Sequence, residues 1–128
     1  MRLGSDLAGL LGDLQASHNL KMIAVVGGDG LMVESATSQD CDAEAVSAVA
    51  ANGLLMMSEL GQELGEGSAD VTTLEYPAHT VLLTPLDSDN LLILVTDGKS
   101  VNLGQLRIMM RRSGDRIREV FNSTMGAY

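Results

Sequence analysis

The sequence predicts an α/β (α+β) sandwich in which helices cover both faces of an antiparallel sheet. Three observations carry this reading. Five short strand-like runs are bounded by turn residues and stand too close together for parallel crossovers, so neighbouring strands must return as hairpins. Two of them, 22–26 and 91–95, are apolar at every position, which suits strands covered on both faces. Three longer segments repeat apolar residues at helical spacing and can supply the two outer layers.

In chain order, Leu3, Leu7, Leu10, Leu11 and Leu14 predict an amphipathic helix over 5–17. Ser5 serves as its N-cap, with Asp6 at the positive end of the helix dipole. Ser17-His18-Asn19 breaks it. Met22-Ile23-Ala24-Val25-Val26 then reads as a buried strand, and Gly27-Gly28-Asp29-Gly30 as the positive-φ positions of a tight reversal. Leu31-Met32-Val33-Glu34-Ser35 returns as the second strand.

Asp40 or Asp42 caps a long helix that runs to about Leu64 and stops at Gly65. At ~1.5 Å per residue it spans on the order of 33 Å. Its middle, residues 45–57, is nearly apolar all round. One sheet face cannot bury all of that, so the helix needs a second partner. Met56 and Met57 point about 100° apart, so at least one of them faces another surface. Methionine suits adaptable contacts, which makes this helix the leading interface candidate.

Val71-Thr72-Thr73-Leu74-Glu75 alternates like a half-exposed strand. Residues 81–86 and 91–95 follow as a hairpin, joined by the turn Asp87-Ser88-Asp89-Asn90. Asn102 with Gln105 makes a capping-box-like start to the last helix. Leu103, Leu106, Met110, Ile117, Val120 and Phe121 form its buried stripe. The order is therefore α-β-β-α-β-β-β-α, and no long linker or internal repeat divides residues 1–128, which read as a single domain.

Composition narrows the function. Hydrophobic residues make up 45% of the chain and aromatics only 2%, so the core is aliphatic. Few rings argue against single-stranded nucleic acid, and a net charge of −9 repels phosphate backbones and anionic lipid. That average hides an asymmetry. Residues 1–100 hold three basic and fifteen acidic residues, whereas 101–128 hold five arginines and two acids. The lone Cys41 excludes an intramolecular disulfide and a multi-cysteine zinc site. The N-terminal stretch, interrupted by Asp6 and Asp13, does not read as a signal peptide, and no apolar run approaches the roughly 20 residues of a membrane span. The expected location is the cytoplasm.

No motif carries chemistry. Gly28-Asp29-Gly30 lacks the third glycine and the following helix of a dinucleotide loop; Val33 and a strand stand there instead. His18 and His79 have no His or Cys at ligand spacing, so no metal site is expected. A Ser-His-Asp triad can assemble across a fold, but no Gly-x-Ser-x-Gly elbow is present. Cys41 lies at a helix start, where thiols acidify, yet Asp40 and Asp42 oppose its ionisation. Arg107, Arg111, Arg112, Arg116 and Arg118 read as a solvated flank paired with acids such as Asp115 and Glu119, or as a dock for an acidic partner or membrane surface. No catalytic residue and no cofactor are expected.

The segment 23–35, a hydrophobic strand meeting an Asp-Gly turn and continuing with Leu and Val, resembles the signature hairpin of the roadblock / dynein light-chain family. The acid-capped Ala-rich helix, the Leu-rich strand pair and Leu103-Gly104 with Arg107 also look like that family. The resemblance spans nearly the whole chain, and its weight lies in the order and spacing of the parts. It implies a five-stranded antiparallel sheet with the long middle helix on one face and the two terminal helices on the other. It further implies a homodimer through the middle helix and third strand, here Val49, Asn52, Gly53, Met56, Val71, Thr73 and Glu75. Family members lack enzyme activity of their own and serve as dynein light chains, as scaffolds and, in prokaryotes, as partners of small Ras-like GTPases. The present chain looks most like the prokaryotic kind. By resemblance, a GTPase would touch Asn52, Met56, Glu59, Leu60 and Glu63. The arginines of the last helix would lie on the opposite face, poorly placed to act as an arginine finger. A small-molecule sensor and a light-chain scaffold are the alternative readings.

Overall fold

The computed structural model describes residues 3–38, 40–96, 98 and 102–125, with side chains between 6 and 123. Helix α1 (Leu3–Ser17) is followed by strands β1 (Leu20–Gly27) and β2 (Met32–Thr37). The long helix α2 (Ala43–Glu63) leads to β3 (Thr72–Glu75), β4 (Thr80–Pro85) and β5 (Asn90–Thr96), and α3 (Leu103–Met125) closes the chain. All pairings are antiparallel, in the order β2-β1-β5-β4-β3. This is the predicted α-β-β-α-β-β-β-α sandwich.

The doubly apolar strands lie where that pattern requires. In β1, Ile23 and Val25 pack with Leu92 and Leu94 of β5 beneath α1 and α3. Met22, Ala24 and Val26 point the other way and pack with Leu91, Ile93 and Val95 beneath α2. Alternate residues of one strand thus serve two separate cores. Leu7, Leu10 and Leu11 from α1 meet Leu106, Met109, Met110, Ile117 and Phe121 from α3 in the first core. Leu14, Leu103 and Val120 line its margin.

Several boundaries differ from the sequence reading for local reasons. Helix α1 already begins at Leu3, so Ser5 sits inside it rather than at its N-cap; the side chains of Leu3 and Ser5 are outside the described residues. Asp42, not Asp40, caps α2, its carboxylate accepting the Ala45 N–H at 3.1 Å. Gly65 is the predicted stop, with a φ of 73°. The Glu66 N–H reaches back to the Gly61 carbonyl at 2.8 Å and the Gly65 N–H to Gln62 at 3.1 Å, a Schellman ending. In the first hairpin only Gly30 has a positive φ, 87°. There the Asp29 carboxylate accepts the Leu31 N–H, which leaves Leu31 as an exposed turn residue and not part of β2. Val71 precedes β3 and packs on the margin of the α1/α3 core. Asn102 does cap α3, its side-chain oxygen accepting the Gln105 N–H at 3.0 Å.

The α2 face conceals one polar atom. Ser47 is fully buried and its hydroxyl has no hydrogen-bond partner among the described residues. A buried, unpaired hydroxyl costs about 1 kcal/mol or more, and alanine is also the better helix former. Ser47→Ala is therefore expected to raise stability by about 1 kcal/mol, read as a higher urea midpoint with an unchanged m-value.

Candidate functional site

Helix α2 does not lie centrally on its face. It packs over β2, β1 and β5, and the β4–β3 end of the sheet is left uncovered on that side. The result is an open groove of about 430 Å³. Ala45, Val46, Val49, Ala50 and Gly53 of α2 form one wall; Ile93, Val81, Leu83 and Leu74 form the floor, with Tyr76 at the rim. Its lining is almost wholly aliphatic. A monomer rarely keeps such a surface open to water without a use for it.

The groove continues along α2. Val46, Val49, Gly53, Met56 and Leu60 are spaced by three, four, three and four residues, the 3.5-residue repeat that keeps one seam turned toward a neighbouring helix. Val49 is 72% exposed, Met56 64% and Leu60 53%. Sequence periodicity foresaw excess apolar surface on this helix, and Met56 is indeed turned outward while Met57 is half-buried. The floor residues Leu74, Val81, Leu83 and Ile93 were not foreseen. Val81, Leu83 and Ile93 read only as apolar strand residues and Leu74 as part of a half-exposed strand. The off-centre seat of α2 leaves Leu74 exposed, while Leu83 and Ile93 are buried at the base of the groove.

Beside the groove, the outer edge of β3 carries no neighbouring strand among the described residues. The other edge strand, β2, is flanked by both α1 and α2. An open edge offers unpaired backbone groups to another chain. Of the residues assigned to the dimer interface, Val49, Asn52, Gly53 and Met56 share the outward side of α2. Thr73 and Glu75 lie on β3 but face the α1/α3 side, opposite Leu74. The Thr73 hydroxyl is buried without a hydrogen-bond partner among the described residues. The residues assigned to GTPase contact, Asn52, Met56, Glu59, Leu60 and Glu63, are all exposed and form one stripe of α2. Met56 sits on the seam between that stripe and the groove.

A smaller hollow of about 320 Å³ adjoins the groove and gathers Lys21, Cys41, Tyr76 and His79. Sequence spacing could not place Cys41 near His79. The Cys41 thiol lies 3.7 Å from the Met22 sulfur. Burial raises its pKa, Lys21 opposes this and Asp42 adds to it, so the thiol is less acidic than a free one. Among the described residues no group of three or more His, Cys, Asp or Glu is placed to hold a metal, and no helix is long and apolar enough to cross a membrane.

On the opposite face the five arginines do not share one flank. At about 100° per residue, Arg107, Arg111 and Arg118 align on one strip of α3, and Arg112 and Arg116 on another. Arg118 is structural: its Nε donates to the Leu86 carbonyl at 2.6 Å and it pairs with Asp115 at 3.0 Å. Glu119 forms no ion pair among the described residues.

Comparison with known proteins gives one consistent result. The Roadblock/LC7 domain model matches residues 7–96. Uncharacterized protein MJ0310 of Methanocaldococcus jannaschii is 33% identical over 109 residues, 85% of this chain and 94% of that protein. Among solved structures, Myxococcus xanthus MglB superposes with a TM-score of 0.83 at 21% identity, over 93% of this chain and 97% of its own. The gliding protein MglB of Thermus thermophilus gives 0.81 at 12% identity, over 92% and 90%.

Proposed function

The chain belongs to the Roadblock/LC7 domain family, and on that premise we propose that it is a non-enzymatic homodimeric adaptor that binds and regulates a small Ras-like GTPase in the cytoplasm, working as a single domain. The observation that carries the reading is the aliphatic groove beside α2 next to an unpaired strand edge. A second copy of α2 fills the groove, and a second β3 completes the edge, giving a sheet continuous through both copies. Obligate interfaces of this kind resemble a domain core cut in two.

The GTPase occupies the outer stripe of α2. That helix exposes Glu44, Glu59 and Glu63 and holds no basic residue, so the partner surface it favours is basic. No arginine of this chain lies on α2, and those of α3 are across the sheet. Any acceleration of GTP hydrolysis therefore works by ordering the catalytic loops of the GTPase, not by inserting an arginine.

Two measurements test the reading. Light scattering at about 300 mM salt, where surface charge is screened, should give twice the 13.5 kDa chain mass, and a monomer at high concentration sinks the adaptor. Small GTPases of the source cell, loaded with a GTP analogue, should bind the wild type. Glu59→Lys with Glu63→Lys should weaken that binding at least about tenfold while the mass stays dimeric. Unchanged binding by the double variant removes the stripe from the interface.

A further inference from the structure

Among the exposed aliphatic side chains that the dimer leaves uncovered, two stand beside charges of opposite sign. Leu55 is 61% exposed and lies on the side of α2 turned away from Gly53 and the groove. Glu59 stands one turn beyond it and Glu63 one turn further, with Glu44 toward the helix start. On the opposite layer, Ile108 is 53% exposed at the centre of the outward face of α3. Arg107, Arg111 and Arg112 surround it, all exposed and none in an ion pair among the described residues. On α2 an exposed leucine leads into a row of glutamates; on α3 an exposed isoleucine stands among arginines.

These patches cannot meet within one molecule, because the sheet separates α2 from α3. We propose that they meet between molecules: the Ile108 patch of α3 docks on the Leu55 patch of α2 in a second copy. Ile108 packs against Leu55 while Arg111 and Arg112 face Glu59 and Glu63. The charge complementarity argues for this occupant, since the acid-rich body of the chain supplies the partner that its own basic helix lacks. A contact that uses two different patches is heterologous, so it links dimers head to tail into rings or open chains larger than a dimer. Oppositely charged surfaces steer this encounter and salt screens it. Because Glu59 and Glu63 also belong to the stripe assigned to the GTPase, a docked α3 covers that stripe. Self-association thus regulates access to it, and this last step alone rests on the GTPase reading.

The test needs no GTPase. Sedimentation velocity of the full chain at about 20 mM and about 300 mM salt should show species larger than a dimer at low salt, weakened about tenfold or more at high salt. Arg111→Glu with Arg112→Glu, and separately Glu59→Arg with Glu63→Arg, should each abolish the large species while circular dichroism stays native. Mixing the two reversed variants should restore them, since each supplies the patch the other lacks. Absence of salt-sensitive species in the wild type overturns the proposal. Loss with the α3 variant but not the α2 variant also overturns it, by sending the arginines to another surface. Binding of the wild type to anionic vesicles without any self-association assigns the patch to a membrane instead, and equally overturns it.

Discussion

Val49→Asp is expected to leave the chain monomeric at concentrations where the wild type is a dimer, a weakening of at least about 100-fold. Val49 forms part of the groove wall and is mostly exposed in the isolated chain. The folded monomer therefore tolerates a carboxylate there in water. In the proposed dimer the same position is covered by the second copy of α2, where an unpaired carboxylate has neither water nor a basic neighbour on that helix, since α2 holds no Lys or Arg. Burying such a charge costs several kcal/mol, and twofold symmetry imposes it on both copies. Leu55→Asp provides the control. Leu55 is nearly as exposed, but it lies on the far side of the helix from the groove, so its substitution should leave the dimer mass unchanged. Sedimentation equilibrium of the two variants decides the matter: dissociation by both, or by neither, refutes the groove as the dimer interface.

That contrast marks where the sequence stops being legible. The excess of apolar residues in 45–57 is readable because periodicity counts how much surface one face can bury. Both core layers are readable too, since residues 22–26 and 91–95 have no polar position to give to solvent. Which side of α2 stays bare is another matter. It depends on where the helix sits across the sheet, and hydropathy treats Leu55, Met56 and Val49 alike. For the same reason Leu74 and Ile93 read as ordinary strand residues, although the lateral offset of α2 makes them the floor of a groove. The arginines of α3 look like one cluster in the linear chain, but the helical twist divides them into two strips. One of the five, Arg118, is committed to the Leu86 carbonyl, a long-range bond no local pattern encodes. Cys41 and His79 share a hollow for an equally nonlocal reason. The family resemblance adds an expectation that periodicity cannot give: a second helix and a second strand edge as the partners of this surface.

Gly61→Ala is expected to destabilise the fold by about 2 kcal/mol, against the direction that helix propensity alone gives. In an exposed helix interior the change from glycine to alanine gains about 1 kcal/mol. Gly61 is buried, however, and a Cβ on it would drive into the carbonyl oxygen of Gly67. The loop cannot simply step aside. Glu66 donates its N–H to the Gly61 carbonyl itself, and Gly65 is held at a φ of 73° by the same C-terminal cap. Moving Gly67 breaks that cap and shifts the connection leading to Val71 and β3, so the methyl costs packing and hydrogen bonds together. Gly53→Ala is the comparison within the same helix, since its Cβ meets nothing within 4 Å. It should stabilise the isolated chain by up to about 1 kcal/mol and, because it fills the groove, loosen the dimer. Chemical denaturation of both variants at concentrations low enough to keep them monomeric separates the two effects. A midpoint for Gly61→Ala equal to or above the wild type means that the 65–67 loop yields freely. The start of β3, and with it the edge offered to a second copy, is then not fixed by the end of α2.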